Sequence, residues 1–292
     1  MIFNPTARGE KAARFRRWLG GLEQDCALKP TSKPGAAREL AAEAIDEGFD
    51  TIVAAGGDGT VNEVLNGFGL APDGFNRARL AVLPLGTVNV FARELKIPAK
   101  LDRAWAIIRK GNETRIDLPR VDFQLNGLPT HRYFVQLAGA GLDARAIELV
   151  NWEWKKKVGP LAYVAAGLQA MNAPQPTITV KSGSQTDSAQ LVLIGNGRLY
   201  GGTFKVFPQA DLSDGVLDIC LFPKVDWPAL VHCGSILLAT RLLPKGRARH
   251  LSTAVLELSG PTGTAFEVDG EWCGQLPASF SVERRALRVV VP

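Results

Sequence analysis

Up to about residue 118, apolar runs of β type alternate with stretches of helical period. Thr51–Ala55 and Leu80–Pro84 are short, continuous apolar runs of the kind that parallel sheets bury on both faces. Ala36–Glu47, Val61–Phe68 and Leu101–Arg109 carry the helical pattern, and Met1–Phe3 reads as the stump of a first strand. Such alternation predicts a three-layer α/β domain, its parallel sheet covered by helices on both faces.

Beyond Asp117 the rhythm changes. Val121–Phe123, Arg132–Leu137, Thr177–Lys181, Gln190–Ile194, Val216–Phe222, Thr253–Leu258, Ala265–Val268, Ser279–Val282 and Leu287–Val291 are short β-type runs separated by turn residues. This spacing predicts an antiparallel β-sandwich. Two helical stretches interrupt it. Pro160–Met171 has Leu161, Val164, Ala165 and Leu168 on one face, and a second stretch opens at Asp226 with Pro228 and runs to about Leu243. The expected division is residues 1–118 as an α/β nucleotide domain and 119–292 as a β-sandwich domain with inserted helices.

Composition narrows the class. Of 292 residues, 46% are hydrophobic and 22% charged, which excludes disorder, collagen and coiled coil, and 30 glycines with 18 prolines exclude a helical bundle. The balance of 34 basic against 29 acidic residues, a net +5, favours anionic partners without choosing among them. Four cysteines with neither CxxC spacing nor paired histidines suggest reduced cytosolic thiols, not zinc or disulfides. No apolar run reaches the ~20 residues of a membrane span, and the N-terminus lacks a signal pattern. The expected location is cytoplasmic, with at most a peripheral position at the inner membrane face.

The chemistry begins in three loops. Gly56-Gly57-Asp58-Gly59-Thr60-Val61-Asn62-Glu63 follows a predicted strand and opens a predicted helix. Glycines there let backbone N–H groups approach a polyphosphate closely, and the helix N-terminus adds a favourable dipole. Asp58 would repel phosphates unless a cation such as Mg²⁺ stood between them. A plain strand-to-helix turn with Asp58 as N-cap stays open as the other reading. Pro84-Leu85-Gly86-Thr87-Val88-Asn89 and Asn4-Pro5 through Gly9 leave predicted strands in the same sense, so all three loops would open on one crevice.

With these strings the chain resembles the diacylglycerol kinase catalytic domain family, which includes bacterial diacylglycerol kinases and, more distantly, sphingosine kinases. The resemblance covers essentially the whole chain. It implies an NAD-kinase-like fold and ATP as phosphoryl donor. It also implies nucleotide contacts from Asn4, Pro5, Thr31, Gly56, Gly57, Asp58, Gly59, Thr60, Val61, Asn62 and Thr87. In the turn-rich string Phe207–Asp218, Ser213-Asp214-Gly215 is ordinary turn chemistry by itself. The resemblance makes it a Mg²⁺ loop, with the Asp214 side chain and main-chain oxygens of Asp211 and Val216 as ligands, and Asp218 a candidate behind them. Asp269-Gly270-Glu271 is by spacing a hairpin turn. The resemblance assigns Glu271 as general base toward a lipid hydroxyl, with Asp58 as the competing proton acceptor.

Trp152, Trp154 and Lys155–Lys157 before the first inserted helix, and Arg241, Lys245, Arg247, Arg249 and His250 after the second, would suit contact with a lipid surface. Packing of both helices on the sandwich, with the basic residues solvated, is the plainer alternative. The resulting expectation is an ATP-dependent lipid kinase. Its partners would be a lipid substrate at a membrane surface and a second copy in a homodimer, with no nucleic acid. A NAD-kinase-like small-molecule kinase is the first alternative. A catalytically silent lipid- or nucleotide-binding protein is the second, disfavoured by the joint presence of Asp58, Asp214 and Glu271. Diacylglycerol, a long-chain base, an isoprenoid alcohol and a phospholipid headgroup all remain open as acceptor.

Overall fold

A strand buried on both faces has no polar side to show, so it reads as an unbroken apolar run. Two such strands centre the first sheet. The structure, a computed structural model, describes residues 1–5, 10–20, 26–149, 167, 169–244 and 246–292. It divides into one unit of Met1–Leu118 with Arg284–Pro292 and another of Pro119–Glu283.

The first unit runs β1 (Ile2–Phe3), α1 (Glu10–Leu19), β2 (Lys29–Pro30), α2 (Ala36–Asp46), β3 (Thr51–Gly56), α3 (Asp58–Phe68), α4 (Gly74–Arg77), β4 (Arg79–Pro84), α5 (Val90–Glu94) and α6 (Leu101–Lys110). Its strands lie in the order β2-β1-β3-β4, all parallel. Helix α2 buries Ala36, Ala37, Ala41, Ala44 and Ile45, and α3 buries Val64, Leu65 and Phe68. Their backbones cross closely at Gly67, where an added Cβ would sit 2.3 Å from the Arg38 carbonyl oxygen. Glu63 spans the same pair, accepting from Gly35 N (2.9 Å) and Ala37 N (3.1 Å) at the start of α2. That supplies a cap which α2 lacks from its own N-cap, Gly35.

The second unit begins within β5 (Glu113–Leu125) and continues through β6 (Leu128–Tyr133), β7 (Leu137–Gly141), α7 (Leu142–Leu149), β8 (Ile178–Ser182), β9 (Gln185–Ala189), β10 (Leu191–Gly195), β11 (Leu199–Tyr200), β12 (Phe204–Lys205) and β13 (Leu217–Phe222). Then follow α8 (Trp227–Thr240), β14 (Arg249–Thr253), β15 (Val255–Ser259), β16 (Ala265–Val268), β17 (Glu271–Gln275) and β18 (Ala278–Val290). One antiparallel layer is β14-β13-β10-β7-β16-β17. The other is built from β15 between β8 and the first half of β18, with β9 beyond β8. Between the layers Phe266 meets Phe123 and Phe280 edge-on, at centroid distances of 5.1 and 5.9 Å. The α/β-plus-sandwich class is therefore as the pattern predicts.

Several boundaries differ, each for a local reason. The run Arg132–Leu137 is broken, because the N–H groups of Val135, Gln136 and Leu137 bond to the Asp269 carboxylate instead of a ladder. The run Thr253–Leu258 is split between β14 and β15. Ser279–Val282 and Leu287–Val291, all but Val291 itself, fall in one strand, β18, with Arg285 at φ 52° in its middle and its N–H held by Asp117 (2.7 Å). The end of that strand pairs in parallel with β4, Val289 beside Leu80, and so groups with the first unit. Helix α8 starts at the predicted cap, Asp226 accepting from Ala229 N (2.9 Å), but stops at Thr240 where Arg241 turns left-handed at φ 62°. The expected helix Pro160–Met171, the Trp152–Lys157 segment, Gly9 and Lys245 lie mostly or wholly outside the described residues.

Phe266 is fully buried at the centre of the sandwich. Phe266→Ala should lower stability by about 3–5 kcal/mol. Urea denaturation checks this: the midpoint should fall with little change in slope.

Candidate active site

Parallel register decides which loops meet. Phe3 lies beside Pro30 on one side and Ala55 on the other, and Ala55 lies beside Leu83. The next residue of each strand therefore falls in one row along the carboxyl edge: Thr31, Asn4, Gly56 and Pro84. The Thr31 N–H donates to Phe3 O at 2.8 Å, continuing the ladder to this edge. Sequence-predicted residues from all three loops are thus brought together, Thr31 with them.

Two of the loops are clasped. Leu85 N and Gly86 N both reach Gly56 O, at 2.9 and 3.3 Å. A Cβ on Gly86 would lie 2.5 Å from the Gly57 Cα and 2.6 Å from Asn89 Oδ1, so the backbones themselves are in contact. Asn89, left-handed at φ 53°, donates from its amide to Gly86 O at 2.8 Å. Asp58 does not cap its own helix; Gly57 holds the N-cap position without a side-chain bond. Instead Asp58 Oδ1 accepts from Phe91 N at 3.3 Å, at the start of α5. Gly56, Gly57, Asp58, Gly59 and Thr60 are partly open, and Thr87 is exposed. Val61 and Asn62 turn inward, Asn62 accepting from the Asn66 amide through both its carbonyls. Both are buried as whole residues, so of the sequence-predicted loop contacts these two are the ones the structure does not bring to the surface.

In the second unit, Glu271 opens β17 immediately after a tight turn. Asp269 and Gly270 both have positive φ, 49° and 82°, the geometry of a type I′ hairpin. The Asp269 carboxylate binds three backbone N–H groups: Val135 (3.0 Å), Gln136 (3.0 Å) and Leu137 (3.2 Å). Its own N–H donates to Leu137 O at 2.8 Å. Glu267 Oε2 accepts from Gly270 N at 2.7 Å, closing the turn from within. Glu271 is therefore presented by a turn anchored from two sides.

The Asp211–Val216 loop is exposed at both aspartates. Asp211 Oδ1 accepts from the Ser213 N–H and hydroxyl, and Asp214 Oδ1 from Val216 N at 3.1 Å. Burial pushes the Asp218 carboxyl upward; the Ser252 hydroxyl opposes this and the Asp214 charge adds to it. Hard oxygens of this kind suit Mg²⁺. Among the described residues no three acidic, histidine or cysteine side chains stand together, so further ligands would be main-chain or hydroxyl oxygens and water.

Sequence reasoning missed Asp269 as an anchor, and it missed Asp143, Tyr200 and Glu267, which cluster behind the same turn. One signal was available: Glu267 is a lone charge in the otherwise apolar strand Ala265–Val268.

The clasp yields a test. Gly86→Ala must push the two loops apart, whereas a Cβ on Gly57 would meet Gly86 at an ordinary 3.4 Å. Gly86→Ala should cost about 1–3 kcal/mol by overpacking, seen as a lower melting temperature, and Gly57→Ala distinctly less.

Residues 1–121 match the family described as the diacylglycerol kinase catalytic domain, and residues 136–291 the YegS C-terminal NAD kinase beta sandwich-like domain. A diacylglycerol kinase of Staphylococcus saprophyticus is 30% identical across all of this chain and 94% of its own length. One of Staphylococcus aureus is 31% identical across all of this chain and 91% of its own. A crystal structure of a diacylglycerol kinase from Bacillus anthracis superposes with a TM-score of 0.75 at 25% identity, covering 100% of this chain and 95% of that one. With both units matched end to end, the chain belongs to the diacylglycerol kinase family.

Proposed function

We propose that the protein is an ATP-dependent lipid kinase that transfers the γ-phosphoryl group to a lipid hydroxyl such as that of diacylglycerol. The observation that carries the reading is the row of Thr31, Asn4, Gly56 and Pro84 with the clasped glycine loops beside it. Family membership and the named activity of the Staphylococcus relatives support it. In this reading residues 1–118 hold the nucleotide and residues 119–292 the lipid. Backbone N–H groups of Gly57–Thr60 and the α3 N-terminus hold phosphate oxygens. Mg²⁺ would supply charge neutralisation at the transferred group. Asp58 Oδ1 is engaged by Phe91 N, which orients its carboxylate. The Asp214 loop, with main-chain oxygens of Asp211 and Val216, is the proposed holder of a structural Mg²⁺.

Glu271 is the proposed general base. As the lipid oxygen bonds to phosphorus and the bond to the β-phosphate oxygen breaks, the hydroxyl proton passes to the Glu271 carboxylate. A lipid-facing surface is proposed on α8. Its Cys233 and Leu237 pack inward, yet Trp227, Val231 and Leu238 are exposed on the other side, with Arg241 and Arg247 following. No helix among the described residues is long and apolar enough to cross a membrane.

The test is phosphotransfer from ATP to diacylglycerol, a long-chain base and an isoprenoid alcohol in mixed micelles, with NAD⁺ as control acceptor. Phosphate should enter a lipid; phosphate entering NAD⁺ alone would replace this reading with the small-molecule kinase. Glu271→Gln should lower kcat by about 10²–10⁴-fold and leave ATP affinity and lipid KM near the parent values. Activity within a few-fold of the parent, with Asp58→Asn inactive, would move the base to Asp58. For the metal loop, melting curves in EDTA and in restored Mg²⁺ should differ, since native-only binding at a hundredfold excess over Kd adds about 2.7 kcal/mol. An Asp214→Ala variant should lose that difference.

A further inference from the structure

Strand β7 reads Leu137-Ala138-Gly139-Ala140-Gly141, and it lies between β10 and β16. Gly139 and Glu267 are cross-strand partners. A Cβ on Gly139 would sit 2.5 Å from Asp143 Oδ2 and 3.0 Å from Glu267 Oε1. The glycine leaves room for two carboxyl groups, and they fill it. Glu267 is fully buried; Asp143, in the first turn of α7, is partly buried as a residue, but its Oδ2 is sealed from solvent.

The remaining oxygens of the pair are accounted for. Tyr200 donates its phenolic O–H to Asp143 Oδ1. Gly270 N donates to Glu267 Oε2 at 2.7 Å. Asp143 Oδ2 and Glu267 Oε1 face each other with no donor among the described residues. Two bare carboxylates so placed would carry both desolvation and mutual repulsion. A single proton relieves both, because it turns one acceptor into a donor and pairs the two atoms.

We propose that Asp143 and Glu267 share one proton, and that this protonated pair is the latch that fixes the Asp269–Gly270 turn and so aims Glu271. Asp143 and Glu267 are then positioning residues. Their link to catalysis rests on the reading of Glu271 as base, whereas the shared proton does not. Burial, then the neighbouring Asp143 charge, pushes Glu267 well above the usual carboxylate range, with Gly270 N opposing and Asp269 adding. Burial raises Asp143 as well, with the Tyr200 hydroxyl and the bond to Glu267 opposing, so the pair as a whole holds a proton more tightly than free carboxyls do. The other titratable groups around the pair are Tyr200 on β11, Asp269 in the turn, and Glu271 and Cys273 on β17. Helix α7 adds the Arg145–Glu148 ion pair. Because the folded pair holds its proton to higher pH than the unfolded chain does, its stabilisation is complete at acid pH. It is lost as pH rises through the folded value.

The test uses Glu267→Gln, whose amide N–H stands where the proton was and cannot leave. The parent should show a protonated-carboxyl C=O stretch by infrared difference spectroscopy at neutral pH, and Glu267→Gln should lack it. The melting temperature of the parent should fall toward alkaline pH, and that of Glu267→Gln should fall less. Absence of the band from the parent overturns the shared proton, whether or not the variant folds. For the latch, Glu267→Ala should lower kcat by roughly tenfold to hundredfold through misplacement, with ATP affinity unchanged, and Glu267→Gln should restore it at neutral pH. Should Glu271→Gln abolish turnover while Glu267→Ala leaves kcat at the parent value, the latch is overturned and the base is not. Should Glu271→Gln remain active, the base reading fails, and the infrared and melting results still decide the proton.

Discussion

Parallel pairing is the constraint on which the first unit of the molecule depends. Hydrogen-bonded parallel neighbours advance in step, so once Ile2 and Phe3 align with Ala54 and Ala55, the ends of neighbouring strands cannot be staggered at will. A strand of only two residues, β1, suffices because β2 and β3 hold it from both sides and the Met1 amino group bonds Ala27 O at 2.7 Å. The loops that follow inherit their alignment from the ladder. Glycine then removes the steric obstacle to bringing their backbones against one another.

The sandwich solves a comparable problem by different means. Its hairpin turn presents a half-buried carboxylate, Glu271, at the end of an antiparallel pair, where no helix dipole or parallel row assists. Asp269 does this with three backbone N–H bonds, which also interrupt what would have been a continuous strand from Arg132 to Leu137. The irregularity of one segment and the rigidity of the other are thus the same set of hydrogen bonds.

What the sequence made legible follows from this. Strands β3 and β4 were readable because double-sided burial writes itself as an uninterrupted apolar run, and the Gly56–Thr60 string because three glycines in five residues have few uses. Strand β7 was not readable: its alanines and glycines carry no β-type signature, since what they provide is space for other residues. Asp58's partner, Phe91 N, is 33 positions away, and Asp143 and Glu267 are further apart still; no local pattern records such pairs. The continuity of β18 was hidden by Glu283-Arg284-Arg285, whose charges read as a loop although the backbone passes through them as strand.

The contact between Gly57 and Gly86 has a further consequence. Two loops joined by backbone touch and by two hydrogen bonds to one carbonyl behave as a single body. Their conformational entropy is surrendered when the chain folds, so a ligand arriving later has little left to order. The arrangement also ties their histories together. A side chain introduced at Gly86 has to be matched by retreat of the Gly57 loop, whereas one carbon at Gly57 still fits against Gly86, so a change at Gly86 depends on its partner far more than the reverse, although the two stand in separate segments of the chain.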